Sequence, residues 1–181
     1  EQAKALGIVF TTKRNMSLKL NLDPKIEEFK TCLKQWQHRK LTLLGKVTVV
    51  QTYALPKLIY PLTVLNTPPQ HTIKQINDIM FDYLWDKKPA KIKKDIITKP
   101  YEEGGIKMID LEKFINSLKC SWIRRIIELD DQNPLKQIYL TILNRHGGTL
   151  CFESNISAKD ILIHYNKSTF LRDILTAWIN I

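Results

Sequence analysis

The sequence is short of the residues that build loop-rich or cross-linked folds. Its 181 residues include six glycines and eight prolines, which is few for an all-β protein with many tight turns. The three cysteines, Cys32, Cys120 and Cys151, are widely spaced and form no C-x-x-C or Cys/His cluster, so neither a disulfide framework nor a zinc site is predicted. No apolar run reaches about 18 residues, so we expect no membrane span. An initiator Met and a signal-peptide pattern are also missing, and we expect a piece of a larger polypeptide.

The residues that are present predict a folded, mainly helical protein. Hydrophobic residues make up 44% of the chain and aromatic residues 9%, which is enough for an ordinary core. Apolar residues recur at helical spacing at Ile26, Phe29, Leu33 and Trp36, directly after a helix-starting Asp23. The predicted fold class is a helical bundle with a short β-hairpin and a residual N-terminal strand.

The remaining elements follow from the same patterns. Residues 6–10 predict an edge strand whose partner strands are missing, and residues 96–97 and 106–109 predict a β-hairpin. A helix is predicted from Thr42 onward and should be split by Pro56, with a strand over residues 47–50 as the alternative. Further helices are predicted over residues 72–85, 110–129, 134–144, 157–164 and 168–181.

Positive charge is concentrated in the first part of the chain. Residues 1–109 hold 19 basic and 10 acidic side chains, a balance of +9, whereas residues 110–181 hold 9 and 8, a balance of +1. This asymmetry favours a surface for a polyanion, and the alternative is that lysine-rich helices are simply well solvated.

Five segments occur in an order and at spacings that are typical of one protein family. Residues 4–8 read KALGI, 36–47 read WQHRKLTLLGKV, 54–60 read ALPKLIY, 81–85 read FDYLW and 103–110 read EGGIKMID. Together they resemble the non-LTR (LINE-type) retrotransposon reverse transcriptases, across about residues 4 to 126.

Each segment has its counterpart in the family pattern. The first resembles the Lys-aromatic-Leu-Gly-Ile segment that closes the palm, and the second resembles the thumb segment Trp-x-x-Arg-x-Leu-Ser-x-x-Gly-Arg-Ile. The third and fourth resemble the Leu-Pro-Lys-hydrophobic-hydrophobic-Tyr stretch and a Phe-hydrophobic-Trp helix end, and the fifth resembles the Gly-Gly-hydrophobic-x-x-x-Asp of the post-thumb connector. Ala5, Thr42 and Lys46 depart mildly from the aromatic, Ser and Arg of the pattern.

The resemblance implies a domain layout and a function. Residues 1–15 would end a palm-like sheet, 16–68 form a thumb-like helical domain, 69–129 a post-thumb connector with the hairpin, and 130–181 a C-terminal helical segment. The chain would be the non-catalytic, nucleic-acid-gripping part of an RNA-directed DNA polymerase from a transposable element. Its partners would be RNA and DNA, as template–primer duplex, and the upstream palm and fingers of the same polyprotein, in the nucleus and cytoplasm.

No catalytic residue is predicted in this chain. The family's paired aspartates, which hold Mg²⁺, lie upstream of the segment at residues 4–8, and its C-terminal Cys/His knuckle has no counterpart here. The adjacent pair Asp130 and Asp131 follows Glu128-Leu129 and is interpreted as a solvated turn at a helix end rather than a metal site. We therefore expect no cofactor in this fragment, with Mg²⁺ belonging to the parent polymerase.

The candidate nucleic-acid-binding residues are cations near predicted helix ends. Arg39, Lys40 and Lys46 flank the junction of two helices and are predicted to contact phosphates, while Lys57 beside Pro56 is a weaker candidate. A dense cluster follows Trp85, and it is either a clamp on nucleic acid or a solvated loop: Lys87, Lys88, Lys91, Lys93 and Lys94.

Two alternatives stay open at this point. Tryptophans can stack on bases, but Trp36 and Trp122 share a helix face with Ile and Leu and are predicted to pack in the core, whereas Trp85 is undecided. The alternative function is a degenerate or domesticated helical protein–protein interaction module, suggested by the apolar end that contains Trp178 and Ile179.

Overall fold

The computed structural model describes residues 2–144, 147–152 and 169–180. Helices dominate these residues and one short antiparallel hairpin accompanies them, so the predicted fold class is confirmed. The chain divides into two compact units, Glu1–Phe114 and Ile115–Ile181, and each is described by itself.

The hairpin lies at the start of the chain. Strand β1 (Gln2–Ala5) pairs antiparallel with β2 (Ile8–Thr11). Between them Leu6 and Gly7 both have positive φ, 49° and 79°, as a two-residue type I′ turn requires. The expectation that β2 has no partner strand is therefore wrong, because the partner lies within the first five residues.

A buried asparagine holds the hairpin against the first helix, α1 (Arg14–Asn21). The Oδ1 of Asn21 accepts a hydrogen bond from the backbone N–H of Val9 at 2.7 Å, and its Nδ2 donates to the Val9 carbonyl at 2.9 Å. The side-chain amide thus satisfies the backbone groups that a neighbouring strand would otherwise use. Helix α1 was not predicted. Its N-cap residue, Lys13, is not one of the residue types that cap helices, so the sequence carries no start signal at this position.

The next two helices begin where the sequence indicates. Helix α2 (Asp23–Gln37) has a proline in its first turn, and α3 (Leu43–Val49) follows an extended Thr42 whose Oγ1 accepts from the Gly45 N–H at 3.2 Å. Residues 47–50 are helical, so the alternative of a strand there is excluded.

The helix predicted from Thr42 onward is split at Pro56, as expected. A π-helical turn, Val50–Ala54, ends α3, and α4 (Pro56–Val64) begins at the proline. The Leu55 N–H donates to the Val50 carbonyl at 2.8 Å, which is the i to i−5 bond of a π-turn.

Helix α2 forms the centre of the first unit. It packs against α4 and against α5 (Gln70–Trp85), and α5 also packs against α3. Phe29, Ile76 and Met80 are fully buried between these helices. Burial of each such side chain contributes roughly 1.5–3 kcal/mol, so this packing fixes where the basic ends of α2 and α5 lie.

The β-hairpin predicted over residues 96–109 is not formed. The segment contains a short helix, α6 (Lys94–Ile97), and a 3₁₀ turn at Tyr101–Glu103. The N–H groups of Ile106 and Met108 both donate to the Ile97 carbonyl, which gives a compact loop. Pro100 cannot donate to a strand ladder. A Cβ on Gly105 would lie 2.0 Å from the Lys99 carbonyl oxygen, so only glycine fits at this point of the loop.

Helix α7 (Leu111–Glu128) contains the division between the units, and its start is capped as predicted. The Oδ1 of Asp110 accepts from the N–H groups of Glu112 and Lys113 at 3.1 and 3.4 Å. No helix among the described residues is long and apolar enough to cross a membrane.

The second unit is built from α7, α8 (Pro134–Leu143), a 3₁₀ turn at Gly148–Phe152 and α9 (Thr169–Ile179). Asn133 caps α8 by accepting from the Leu135 N–H at 2.9 Å. The predicted helix over residues 157–164 lies outside the described residues. The core of this unit consists of Ile123, Leu143, Phe152, Leu171, Ile174 and Leu175.

A fully buried lysine lies within the second unit. Lys119 of α7 has no exposed surface, and its Nζ lies 4.8 Å from the centroid of the Phe170 ring. Burial lowers the pKa of Lys119 from 10.5 to about 8, opposed by the carboxylate of Asp173. The folded state therefore binds the Lys119 proton more weakly than the unfolded state does.

This lysine predicts a pH dependence of stability. Because the pKa of Lys119 is lower in the folded than in the unfolded state, its contribution to the free energy of unfolding should rise as pH increases from about 8 to 10.5. The difference approaches roughly 3 kcal/mol, at about 1.36 kcal/mol per tenfold change in proton affinity. Urea denaturation of the wild type and Lys119→Met across this range measures it.

The comparison with Lys119→Met is needed because the ionisation of Cys120 and Tyr139 changes the free energy of unfolding with pH in the opposite direction. Burial raises the pKa of both groups, so their contributions to stability fall as pH rises. These groups are common to both proteins, and the gap between the two curves isolates Lys119. A gap that stays constant with pH would contradict the assignment.

Candidate nucleic-acid interface

The C-terminal halves of α2 and α5 lie side by side and border a cleft of about 160 Å³, which we call the α2–α5 cleft. Three of its residues are lysines, two from α2 and one from the segment after α5. The cleft is lined by Lys30, Leu33, Lys34, Gln37, Ile79, Asp82, Tyr83 and Lys87.

The lysines of this cleft are poorly neutralised. Within the described part of the chain, Lys34 and Lys87 form no ion pair, and Lys30 has only a long one, 3.7 Å to Glu27. Asp82 is the one carboxylate in the lining, against three ammonium groups. Lys30 and Lys34 were not among the predicted site residues. Their i, i+4 spacing places them on one face of α2, but only the packing of α5 shows that this face borders a cleft.

A buried phenol adds a hydrogen-bond donor beside these lysines. Tyr83 is 3% exposed, and its hydroxyl makes no hydrogen bond to the described residues. Burial, followed by the charges of Asp86 and Cys32, raises the pKa of Tyr83. The phenol therefore stays protonated and able to donate.

The turn that ends α5 is strained and is held by an ion pair. Asp86 and Lys87 have left-handed backbones, with φ of 52° and 59°, and each non-glycine residue in this region costs about 1–2 kcal/mol. The Nζ of Lys46 reaches across from α3 to the Asp86 carboxylate at 2.6 Å and donates to the Leu84 carbonyl at 3.1 Å. This pair anchors the turn from which Lys87 and Lys88 project.

The structure gives Lys46 a different role from the one predicted. Its side chain is 8% exposed and its ammonium is paired internally, so it is not a free surface cation. Residue spacing does not reveal this role, because the partner, Asp86, lies 40 residues away along the chain. Lys46 is better described as a positioning residue for the lysines that follow Asp86.

A second, larger pocket lies on the α3 side of the same turn, and we call it the Trp85 pocket. Its volume is about 390 Å³, and Trp85 is half-buried in its wall, with an indole N–H that is buried and makes no hydrogen bond to the described residues. The rest of the lining combines apolar and charged residues: Leu41, Leu43, Lys46, Leu84, Asp86, Lys88, Pro89, Lys91 and Ile92.

The other predicted cations divide into two groups. Arg39 and Lys40 are exposed just after the end of α2, and the next residue, Leu41, lines the Trp85 pocket. Lys57 is half-buried on α4 and lines neither the cleft nor the pocket.

The last two lysines of the cluster are exposed at the start of α6. Lys93 is the N-cap of α6, and the Nζ of Lys94 lies 5.8 Å from the centroid of the Phe81 ring. Neither residue lines the α2–α5 cleft or the Trp85 pocket.

Trp122 packs against the core of the second unit as predicted, whereas the core packing predicted for Trp36 is wrong, because Trp36 is half-buried and stacks on the exposed Tyr53. The ring of Trp36 lies 5.0 Å from that of Tyr53, with the guanidinium of Arg39 4.6 Å from its centroid. Trp122 contacts Phe170 edge-on at 5.4 Å. Both indoles are therefore occupied by protein contacts.

The interpretation of the aspartate pair as a turn is confirmed. The Oδ1 of Asp130 accepts from the Gln132 N–H at 2.8 Å, and the Asp131 carboxylate pairs with Lys136 at 2.7 Å. The hydrogen bond from Lys136, together with its charge, lowers the pKa of Asp131. No group of three or more His, Cys, Asp or Glu side chains suited to a metal ion occurs within the described residues.

A scan of the chain against protein-family models finds no match. The likeness to retrotransposon reverse transcriptases therefore rests on the five sequence segments.

The Lys46–Asp86 pair predicts a specific loss of stability. Asp86→Asn keeps a residue type that tolerates the left-handed backbone but removes the charge that neutralises the buried ammonium. We expect the free energy of unfolding to fall by about 1–3 kcal/mol, measured by urea denaturation. Asp78→Asn is the matched control, because Asp78 is an exposed residue of α5 that makes no ion pair in the described structure and lines neither the cleft nor the pocket. Equal effects of the two substitutions would show that the pair does not anchor the turn.

Proposed function

We propose that this chain is the non-catalytic, nucleic-acid-gripping part of a LINE-type retrotransposon reverse transcriptase, and that it holds template–primer duplex by its phosphates. One observation carries the proposal: cations from the end of α2 and from the turn after α5 lie together around the α2–α5 cleft and the Trp85 pocket. The five resembling sequence segments supply the family.

The charge distribution favours a polyanion as the partner. Lysines that lie near one another without counter-ions repel, and this repulsion is relieved when an external anion neutralises them. Lys34, Lys87, Lys88 and Lys91 are in this state within the described residues. Ammonium groups on a rigid helical support are suited to backbone phosphates, which carry no sequence information.

On its own this chain would bind nucleic acid and would not act as a polymerase. The upstream palm and fingers of the same polyprotein would provide the paired aspartates and Mg²⁺, and the element would act in the nucleus and cytoplasm. We expect the genomic reading frame immediately upstream to encode a domain with paired aspartates. An unrelated upstream domain would contradict the family assignment.

The salt dependence of duplex binding tests the grip directly. If about four to six cations neutralise phosphates, log affinity should fall with log salt concentration with a slope of roughly −4 to −5, and affinity near physiological salt should be weak, about 10⁻⁴ to 10⁻⁶ M. The triple variant Arg39→Gln, Lys40→Gln, Lys87→Gln should reduce the slope by about 2–3 and weaken binding. Filter binding with an RNA/DNA duplex at several salt concentrations measures both.

The matched control is the triple variant Lys4→Gln, Lys13→Gln, Lys19→Gln. It removes the same charge from exposed residues of the hairpin, of α1 and of the link between them. If both triple variants lose affinity equally, net charge rather than this surface determines binding. If the wild type binds no duplex at low salt, the gripping function is wrong.

In that case the second candidate, a protein–protein interaction module, would be favoured. The last helix of the second unit exposes two adjacent apolar residues near its end, Trp178 at 42% and Ile179 at 38%, and adjoining apolar side chains of this kind are the start of an interaction patch.

A further inference from the structure

We propose that the Trp85 pocket binds a single unpaired nucleotide, with its base against the apolar wall and its phosphate held by Lys88 and Lys91. The inference rests on the proposed function in one respect, since it takes nucleic acid as the ligand. It goes beyond that function because a grip on duplex phosphates needs no pocket for a base.

The size of the pocket separates it from the neighbouring cleft. Its volume of about 390 Å³ lies within the range of small-molecule sites, roughly 300–1,000 Å³. The α2–α5 cleft, at about 160 Å³, lies below that range and suits a group of the size of a phosphate. Of these two sites, the Trp85 pocket is the one with room for a base together with its sugar.

The lining of the pocket is divided between an apolar wall and free cations. Trp85, Leu41, Leu43 and Ile92 contribute aromatic and aliphatic surface. A base in contact with an aromatic side chain gains about 5- to 150-fold in affinity, and this gain is insensitive to sequence because every base has a flat face. Bases inside a duplex already stack on their neighbours, so this wall favours an unpaired one.

The charges of the pocket favour an anionic ligand. Lys46 is neutralised by Asp86, which leaves Lys88 and Lys91 as exposed ammonium groups with no ion pair in the described part of the chain. A ligand with a flat apolar body and a negative group at one edge matches this arrangement, and a nucleotide has that form.

The location of the pocket agrees with an overhanging strand as the ligand. Lys87 faces the α2–α5 cleft and Lys88 the Trp85 pocket, so adjacent residues of one turn serve both sites. A strand that leaves the end of a gripped duplex would place its first unpaired nucleotide near the duplex phosphates.

The experiment compares three labelled ligands on the full chain by fluorescence anisotropy: a blunt duplex, the same duplex with a short single-stranded overhang, and that duplex with an abasic overhang. We expect the overhang to strengthen binding about 10-fold over the blunt duplex, and the abasic overhang to lose most of this gain. Trp85→Ala should remove the gain and leave blunt-duplex affinity unchanged, while Trp85→Phe should retain most of it.

A pair of double variants provides the charge control. Lys88→Ala with Lys91→Ala should reduce the gain of the overhang over the blunt duplex, whereas Lys93→Ala with Lys94→Ala, which removes equal charge from the same segment outside the pocket, should leave that gain unchanged. This comparison also keeps the test decisive if Trp85→Ala fails to fold, as judged by its thermal midpoint.

The outcomes separate the two proposals. Equal binding of normal and abasic overhangs, or equal losses of the overhang gain in the two double variants, would overturn the pocket and leave the duplex grip intact. Binding of a single-stranded oligonucleotide that depends on Trp85, without any duplex binding, would support the pocket and overturn the grip. Displacement of the overhang by an acidic, aromatic peptide more readily than by a single-stranded oligonucleotide would identify a peptide site and overturn the proposal.

Discussion

The ion pair between Lys46 and Asp86 is the interaction on which the basic surface depends. It joins α3 to the end of α5 and offsets the cost of two consecutive left-handed residues, Asp86 and Lys87. Because side chains project from a turn according to its backbone, this pair sets where the lysines after α5 lie. One buried cation thus organises several exposed ones.

The placement of these cations also depends on apolar packing. Phe29 of α2 and Met80 of α5 are fully buried, and their packing keeps the C-terminal halves of the two helices adjacent. The last turn of α2 carries Lys34, where the helix dipole favours a cation, and the lysines that follow α5 lie on the same part of the first unit. The same core that stabilises the bundle determines the geometry of the surface.

Most of the fold was predictable because its signals are local. Thr42, Asp110 and Asn133 cap helices where the sequence places them, and Pro56 divides a helix as a residue without an N–H must. The errors came from long-range effects. The hairpin expected at residues 96–109 is a loop, because its first segment is part of the short helix α6 and Pro100 cannot donate to a strand ladder. The site was harder to predict, since neither the burial of Lys46 nor the convergence of Lys30 and Lys34 with Lys87 follows from spacing along the chain.

The π-turn at Val50–Ala54 has a consequence for how this region tolerates change in length. A π-turn contains one residue more than an α-helical turn, so it rotates everything after it by about 100° around the helix axis. Leu58 and Leu62 of α4 face the core only with this rotation in place. Loss of one residue from the turn, with return to regular α-helix, would leave those leucines directed at the core, because the deletion and the loss of the π-turn cancel. The irregular turn therefore absorbs one extra residue, and this is the position in the helix where a single-residue deletion should be tolerated best.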